Sequence, residues 1–390
     1  MMNELKIIYL TRNFPPMQGG MERLNFHLYQ ELCTQYEVLL VGPEGAEGFV
    51  EDSSHVQTSP PLPVWRFLIA SCWQTCRLAQ KHRLAFIFAG SGVAALPAVL
   101  AGRIFGIPVL TYLHGLDIIA PNLLYQKIFL PAIRRSQGWL VNSRNTRRLA
   151  INAGMPAENI EILNPGTDLP NLAEIDFDNV FRRQIGAGER PILLSVGRLT
   201  RRKGLLEFVD RVMPTIATQI PGILLVIIGS EPVQSIARAK GKIEIKLRER
   251  IAELGLDKNV LFLGNVDDRT LSEAFLVSQL HIFPVLDLPG DVEGFGMVAV
   301  EAAAHGLPTV AFASGGVPDS VEEGTSGWLI EPSDYPAMAE VIVRNLAFAD
   351  SSAITRDSCR QFAEKFAWHC LGKKLNDYCR QFLDRIQPTA

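Results

Sequence analysis

Short apolar runs with helical stretches between them recur along the whole chain, and that alternation calls for parallel α/β sheets. A first series lies at residues 6–10, 37–41, 84–89, 108–112 and 138–142, and a second at 191–196, 224–229, 260–263, 280–283 and 309–312. Two series predict two doubly wound domains, which suits 390 residues, more than one core usually serves. The segment 164–189, with Pro165, Pro170 and several acids, reads as a linker. We place the domains at 1–168 and 169–370, followed by a terminal helix at 371–390. The tail from 358 to 386 carries Phe362, Phe366, Leu371, Leu375, Tyr378 and Phe382 at helical spacing.

A formal charge of −3 gives no reason to expect a nucleic-acid partner. The average hides a step: residues 1–52 carry −5, residues 53–157 carry +10 and residues 158–390 carry −8. No charge occurs between Arg83 and Arg103, but Gly90, Ser91, Gly92 and Pro97 divide that stretch into a strand, a turn and a helix, not a membrane span. The start of the chain shows no export signal, and the six cysteines form no Cys-x-x-Cys pair, so we expect reduced thiols and a cytoplasmic protein.

Four constellations can carry chemistry. Gly19 and Gly20 open a helix after the first strand, where backbone N–H groups can approach a phosphate, or where they only make a turn. After the strand at 191–196, Arg198, Arg201, Arg202 and Lys203 crowd one loop at a strand's carboxyl end, which suits a diphosphate. Arg198 and Lys203 are the preferred ligands, whereas Arg201 and Arg202 read as solvated charge. Glu293-Gly294-Phe295-Gly296 leads into a helix that carries Glu301 among apolar neighbours, offering carboxylates to vicinal hydroxyls and helix-start N–H groups to phosphate. His114 follows the strand at 108–112 and either donates a hydrogen bond to a sugar hydroxyl or to developing charge, or is structural. Asp176-Phe177-Asp178 has the Asp-x-Asp spacing of some metal-bound nucleotide-sugar sites but falls in the linker, and we expect no metal role for it.

Together these residues resemble the family-4 retaining glycosyltransferases over nearly the whole chain. The most specific part is 293–301 with Ser314-Gly315-Gly316-Val317-Pro318-Asp319, supported by Gly197-Arg198, Lys203-Gly204 and Asn164-Pro165-Gly166-Thr167-Asp168. Two departures stand out: Asp319 replaces a frequent Glu, and Pro-Gly-Thr varies the family's interdomain Asn-Gly-Val-Asp. The resemblance implies a GT-B architecture, with two Rossmann-like domains facing a cleft, the first on the acceptor side, and the terminal helix crossing back to the first domain. It implies that Arg198 and Lys203 hold the donor diphosphate, Glu301 the ribose and Glu293 the donor sugar, with Gly19, Gly20 and His114 contributing from the first domain. It further implies no metal and no cofactor beyond the nucleotide-sugar donor. The run 290–296 is closest to mannosyl-transferring members, which favours GDP-mannose over UDP sugars.

The acceptor expected from the resemblance is a glycan or lipid-linked molecule of cell-envelope or polysaccharide biosynthesis. Residues 60–83 mix Trp65, Phe67, Leu68, Ile69, Trp73 and Leu78 with Arg66, Arg77, Lys81 and Arg83. They read either as an interfacial helix meeting anionic lipid at the inner membrane face or as an ordinary helix on a sheet. A nucleotide-sugar epimerase of the same fold and a non-catalytic sugar-nucleotide-binding protein are the competing functions. An NAD-dependent oxidoreductase is disfavoured because neither first-strand loop carries G-x-G-x-x-G.

Overall fold

The computed structural model describes residues 5–171, 180–231, 242–347 and 353–386. The chain divides into two compact units, Met1–Gly166 with Trp368–Ala390, and Thr167–Ala367.

The first unit holds strands β1 (Lys6–Leu10), β2 (Glu37–Pro43), β3 (Val56–Ser59), β4 (Leu84–Ala89), β5 (Val109–Leu113), β6 (Gly138–Val141) and β7 (Ile160–Ile162). They pair in parallel in the order β3-β2-β1-β4-β5-β6-β7, with Ile8 beside Leu39 on one side and Ile87 on the other. Helices cover both faces, so the central strands are apolar throughout, with no alternation. On one face the helices Val64–Lys81, Gly92–Phe105, Leu123–Ile133 and Arg144–Asn152 share a core with Ile8, Val41, Ile87 and Val141. The other face receives the helix Gly20–Cys33 and, from the far end of the chain, the helix Trp368–Ile386. Phe382 of that terminal helix meets Phe86 edge-on at 6.0 Å, and Tyr378 Oη donates to Asn159 O at 3.0 Å.

The second unit holds β8 (Ile192–Val196), β9 (Leu224–Ile228), β10 (Val260–Gly264), β11 (Leu280–Phe283), β12 (Thr309–Phe312) and β13 (Gly327–Ile330), parallel in the order β10-β9-β8-β11-β12-β13. The α/β class and the paired doubly wound sheets agree with the sequence expectation.

Three strands lie outside the two predicted series, and all three are edge strands: β3, β7 and β13. Each has only three or four residues: β3 and β7 carry no apolar run, and that of β13 is just the three residues Trp328, Leu329 and Ile330. The expected linker also needs correction. Part of it is the helix Val180–Gln184, whose Phe181 is buried with Ile192, Leu194 and Leu224 in the second unit's core. The helical tail is two helices. Arg356–Glu364, held by a Thr355/Ser358 capping box, belongs to the second unit, and Trp368–Ile386 belongs to the first. The break comes where Thr167 N donates to Phe366 O at 2.8 Å, pairing the passage out of the first unit with the passage back. Asp176-Phe177-Asp178 lies outside the described residues. Among the described residues no helix is long and apolar enough to cross a membrane.

Candidate active site

In the second unit the strand order reverses beside β8, since β9 follows it on one side while β11 returns on the other. Open α/β sheets bind ligands at the carboxyl ends of the strands flanking such a reversal. The loops leaving β8 and β11 carry Arg198, Lys203 and Glu293.

The β8 loop ends in a tight turn at Arg201–Lys203, closed by Gly204 at φ +70°. A Cβ on Gly204 would collide with Pro284 O, and Leu286 N donates to Arg202 O at 2.8 Å, so this turn lies directly on the start of the β11 loop. That contact brings opposite charges together. Arg202 Nη1 and Lys203 Nζ both donate to Glu293 Oε2, the latter at 2.9 Å, while Arg202 Nε stands 3.0 Å from Asp291 Oδ1. The Lys203 ammonium also lies 4.6 Å from the Phe283 ring centroid.

Arg202 corrects the sequence expectation, which leaves it in solvent. It is 7% exposed, because the turn directs adjacent side chains apart: Arg201 points outward to Glu207, and Arg202 points in to the two carboxylates. Asp291 is a further member: it lies within the run 290–296, but nothing in the sequence gives it a role of its own.

Burial pushes the Lys203 amine below its ordinary pKa, with Arg202 and Arg198 adding to the effect and Glu293 opposing it. For Glu293, burial raises the pKa, but Lys203, Arg202 and Arg198 together outweigh it and hold the carboxyl below the usual range. The exposed Arg198 therefore contributes to the field at both groups.

The glycines of 314–319 support this loop from behind. Gly316 N donates to Glu293 O at 2.9 Å, and a Cβ on Gly316 would collide with Gly294 O. Beyond Glu293, Phe295 is buried and Gly296, at φ +98°, opens the helix Met297–Ala304. No side chain caps that helix start among the described residues. Glu301 is half-buried on it, between the buried Val300 and Ala302.

The first unit repeats the topology, with the order reversing between β1 and β4. Gly19 precedes the helix Gly20–Cys33, where a Cβ would meet Glu22 Oε2, and Asn13 Nδ2 donates to Glu22 Oε1 at 2.7 Å. Arg12 lies within the field of Glu22 and Asp117. Burial lowers its pKa and those two carboxylates oppose the shift. No motif in the sequence singles out Arg12, Asn13 or Glu22. His114 is buried after β5, with Nε2 3.0 Å from Gly90 O. A carbonyl only accepts, so Nε2 carries the proton and Nδ1 of the neutral ring is an acceptor. In that tautomer Nδ1 can accept a hydrogen bond from a hydroxyl, whereas the sequence reading has His114 donate one.

Behind Lys203, His281 is buried on β11, with Nδ1 3.0 Å from Thr309 Oγ1 and Nε2 without a partner among the described residues. Burial, reinforced by Lys203, pulls its pKa from 6.5 to about 3. Below pH ~6.5 the unfolded chain binds a proton that the folded chain refuses, so stability falls with pH by at most ~1.4 kcal/mol per unit. Loss of ionised Glu293 acts in the same direction. Thermal unfolding should show a lower Tm at about pH 5 than at about pH 7, and His281→Phe should flatten that dependence. Equal slopes for the two proteins would count against the assignment.

Among the described residues, no three His, Cys, Asp or Glu side chains group so as to hold a metal ion. Comparison with known proteins gives consistent results. Residues 18–170 match Glycosyltransferase Family 4, and residues 177–366 match Glycosyl transferases group 1. A GDP-mannose-dependent alpha-(1-6)-phosphatidylinositol monomannoside mannosyltransferase of Mycolicibacterium smegmatis is 26% identical over 95% of this chain and 97% of its own. A GDP-mannose-dependent monoacylated alpha-(1-6)-phosphatidylinositol monomannoside mannosyltransferase of Corynebacterium glutamicum is 28% identical over 95% and 97%. Among solved structures, Anabaena HepE in complex with UDP superposes with a TM-score of 0.79 at 21% identity, covering 97% of this chain and 100% of that one. Sucrose-phosphate synthase from Thermosynechococcus elongatus gives 0.77 at 20% identity over 98% and 100%. With both units matched in succession, and with clustered cations and carboxylates at the strand-order reversal, the chain belongs to the family-4 glycosyltransferases of GT-B fold.

Proposed function

We propose that this glycosyltransferase moves a hexose, mannose by preference, from a nucleotide diphosphate sugar to a glycan or lipid-linked acceptor, with retention of configuration. The carrying observation is the largely buried Arg202–Lys203–Glu293 cluster beside Arg198 at the carboxyl ends of β8 and β11. Arg198 and Lys203 take the donor diphosphate, Glu293 the sugar hydroxyls and Glu301 the ribose, while Gly19, Gly20 and the helix start at Gly294–Gly296 supply backbone N–H groups. His114 accepts from a hydroxyl. The bond from the sugar C1 to the diphosphate oxygen breaks, and the acceptor oxygen bonds to C1 on the same face. The acceptor proton passes to the departing oxygen. Fixed cations neutralise charge as it develops on that oxygen, so the reaction proceeds without a metal or other cofactor. The preference for GDP-mannose is supported by the named activities of the full-length relatives.

The acceptor of those relatives is a phosphatidylinositol mannoside, which supports a lipid-linked acceptor here. We place the protein in the cytoplasm, with residues 60–83 meeting the anionic inner face of the membrane. Thermal shift against GDP, UDP, ADP and their sugar conjugates tests the donor. At a hundred times Kd, a ligand specific for the native state adds about 2.7 kcal/mol, and GDP should outperform UDP and ADP. Release of nucleoside diphosphate should require acceptor and should survive chelator. Release of UDP alone as product would overturn the donor assignment, and turnover without acceptor would favour an epimerase.

A further inference from the structure

The helix Met297–Ala304, which carries Glu301, is held differently at its two ends. Its start has no side-chain cap among the described residues, while each of its last four carbonyls is engaged. The following turn supplies the middle two: Leu307 N donates to Ala302 O at 2.9 Å and Gly306 N to Ala303 O at 2.8 Å. Side chains supply the outer two. Arg360 Nη1, from the helix Arg356–Glu364, donates to Ala304 O at 2.9 Å, and His305 Nδ1 stands 2.7 Å from Glu301 O.

A carbonyl only accepts, so Nδ1 of His305 carries the proton and Nε2 of the neutral ring is an acceptor. Ser272 Oγ, 2.7 Å from that Nε2, therefore donates to it. Ser272 lies on the helix Asp268–Val277, whose Ala274 and Phe275 share a core with Ala302, and Phe275 stacks on the His305 ring at 4.9 Å. A serine inside a helix can turn its hydroxyl back on a carbonyl of its own helix, but Ser272 gives it to His305. A helix C-terminus favours a charged histidine, yet burial pulls the His305 pKa down, with the bond to Glu301 opposing and Arg360 adding to the fall. The ring thus acts by directed hydrogen bonds and not by charge. Ending the helix requires only the bond to Glu301 O and the turn at Gly306. The second bond, to Ser272, adds a fixed orientation.

We propose that Ser272 and His305 are positioning residues for Glu301: they fix the rotation of its helix so that the carboxylate meets the ribose hydroxyls of the nucleotide, while the helix start stays open to the diphosphate. Arg360 secures the same end. This rests on the assignment of Glu301 to the ribose and deepens it, because recognition of the nucleoside half of the donor then depends on a second helix, Asp268–Val277.

The test is a double-mutant cycle on nucleotide binding by the full chain, read by titration calorimetry. GDP and UDP are titrated in parallel, and the cycle uses the tighter of the two. Ser272→Ala should weaken binding about fivefold, and Ser272→Thr, which keeps the hydroxyl, should bind like the wild type. Inorganic diphosphate, which has no ribose, should bind all three proteins alike. In a Glu301→Ala background, itself weakened, Ser272→Ala should have no further effect. Ser278→Ala is the structural control: it removes the bond from Ser278 Oγ to Ala274 O at 2.6 Å, and should lower Tm while leaving nucleotide affinity unchanged. A Ser272→Ala loss that persists in the Glu301→Ala background, or that inorganic diphosphate shares, would make the bond merely structural and overturn the proposal. So would unchanged binding by Ser272→Ala beside weakened binding by Glu301→Ala, which leaves the ribose assignment intact. Wild-type affinity in Glu301→Ala would remove both.

Discussion

Replacing Lys203 with methionine is expected to lower kcat/KM by roughly 10²–10³ with little loss of Tm, the size of effect seen when one preorganised charge-stabilising donor is removed. Burial and the neighbouring arginines destabilise the charged Lys203 amine at the strand-order reversal, so an incoming diphosphate would relieve its environment as well as bind it. Glu293 would keep Arg202 in the variant, so no buried carboxylate is left without a cation. Arg202→Met should behave differently. It leaves Asp291 without its cation and Glu293 with Lys203 alone, and it removes a buried guanidinium that reaches both carboxylates of the β11 loop. Its main signature is therefore a lower Tm, with the activity loss following from a Glu293 carboxylate no longer held in one orientation. The double variant should lose less than the two singles together, because both cations act on one oxygen. Full additivity in kcat/KM, or an active Lys203→Met, would remove the shared role.

Gly316→Ala carries the second large effect. Gly316 has ordinary negative backbone geometry at φ −87°, so alanine there suffers no conformational strain, only the collision of its Cβ with Gly294 O. To admit the methyl group, the Glu293–Phe295 backbone has to move, and the Gly316 N to Glu293 O bond lengthens from 2.9 Å. Displacement by about 1 Å in a positioning element costs about a hundredfold in turnover, so kcat should fall by at least that order. Gly324→Ala provides a contrast, since its added Cβ meets nothing within 4 Å while its φ of +73° imposes backbone strain. It should cost stability of about 1 kcal/mol and leave kcat unchanged. If Gly316→Ala retained full activity, the loop would not depend on this close approach.

Lys203 and Gly316 both mark where local pattern stops being informative. The Gly-Gly of 314–319 stands out as a motif, but nothing in the sequence says that it presses on the backbone of Glu293. Likewise Lys203 and Glu293 are each recognisable as ligands, yet their mutual ion pair joins residues ninety positions apart along the chain. Three consecutive cations look alike in sequence, so Arg202 reads as solvated there, and only the turn separates the outward from the inward side chain. His114 is legible as a residue at a strand's carboxyl end, but its hydrogen-bonding sense depends on Gly90 O, which another strand delivers.

Sequence was enough for the parallel α/β class, the two series of central strands and the loops that carry the charged site. Central strands buried on both faces need continuous apolar runs, and such runs can be read locally. The short edge strands, the division of the tail between the two units and the pairing within the Arg202–Lys203–Glu293 cluster follow only from the assembled fold. Each of these depends on contacts between residues far apart in the chain, whose free energies come from burial and charge in the assembled sheet, and no local pattern of residues encodes them.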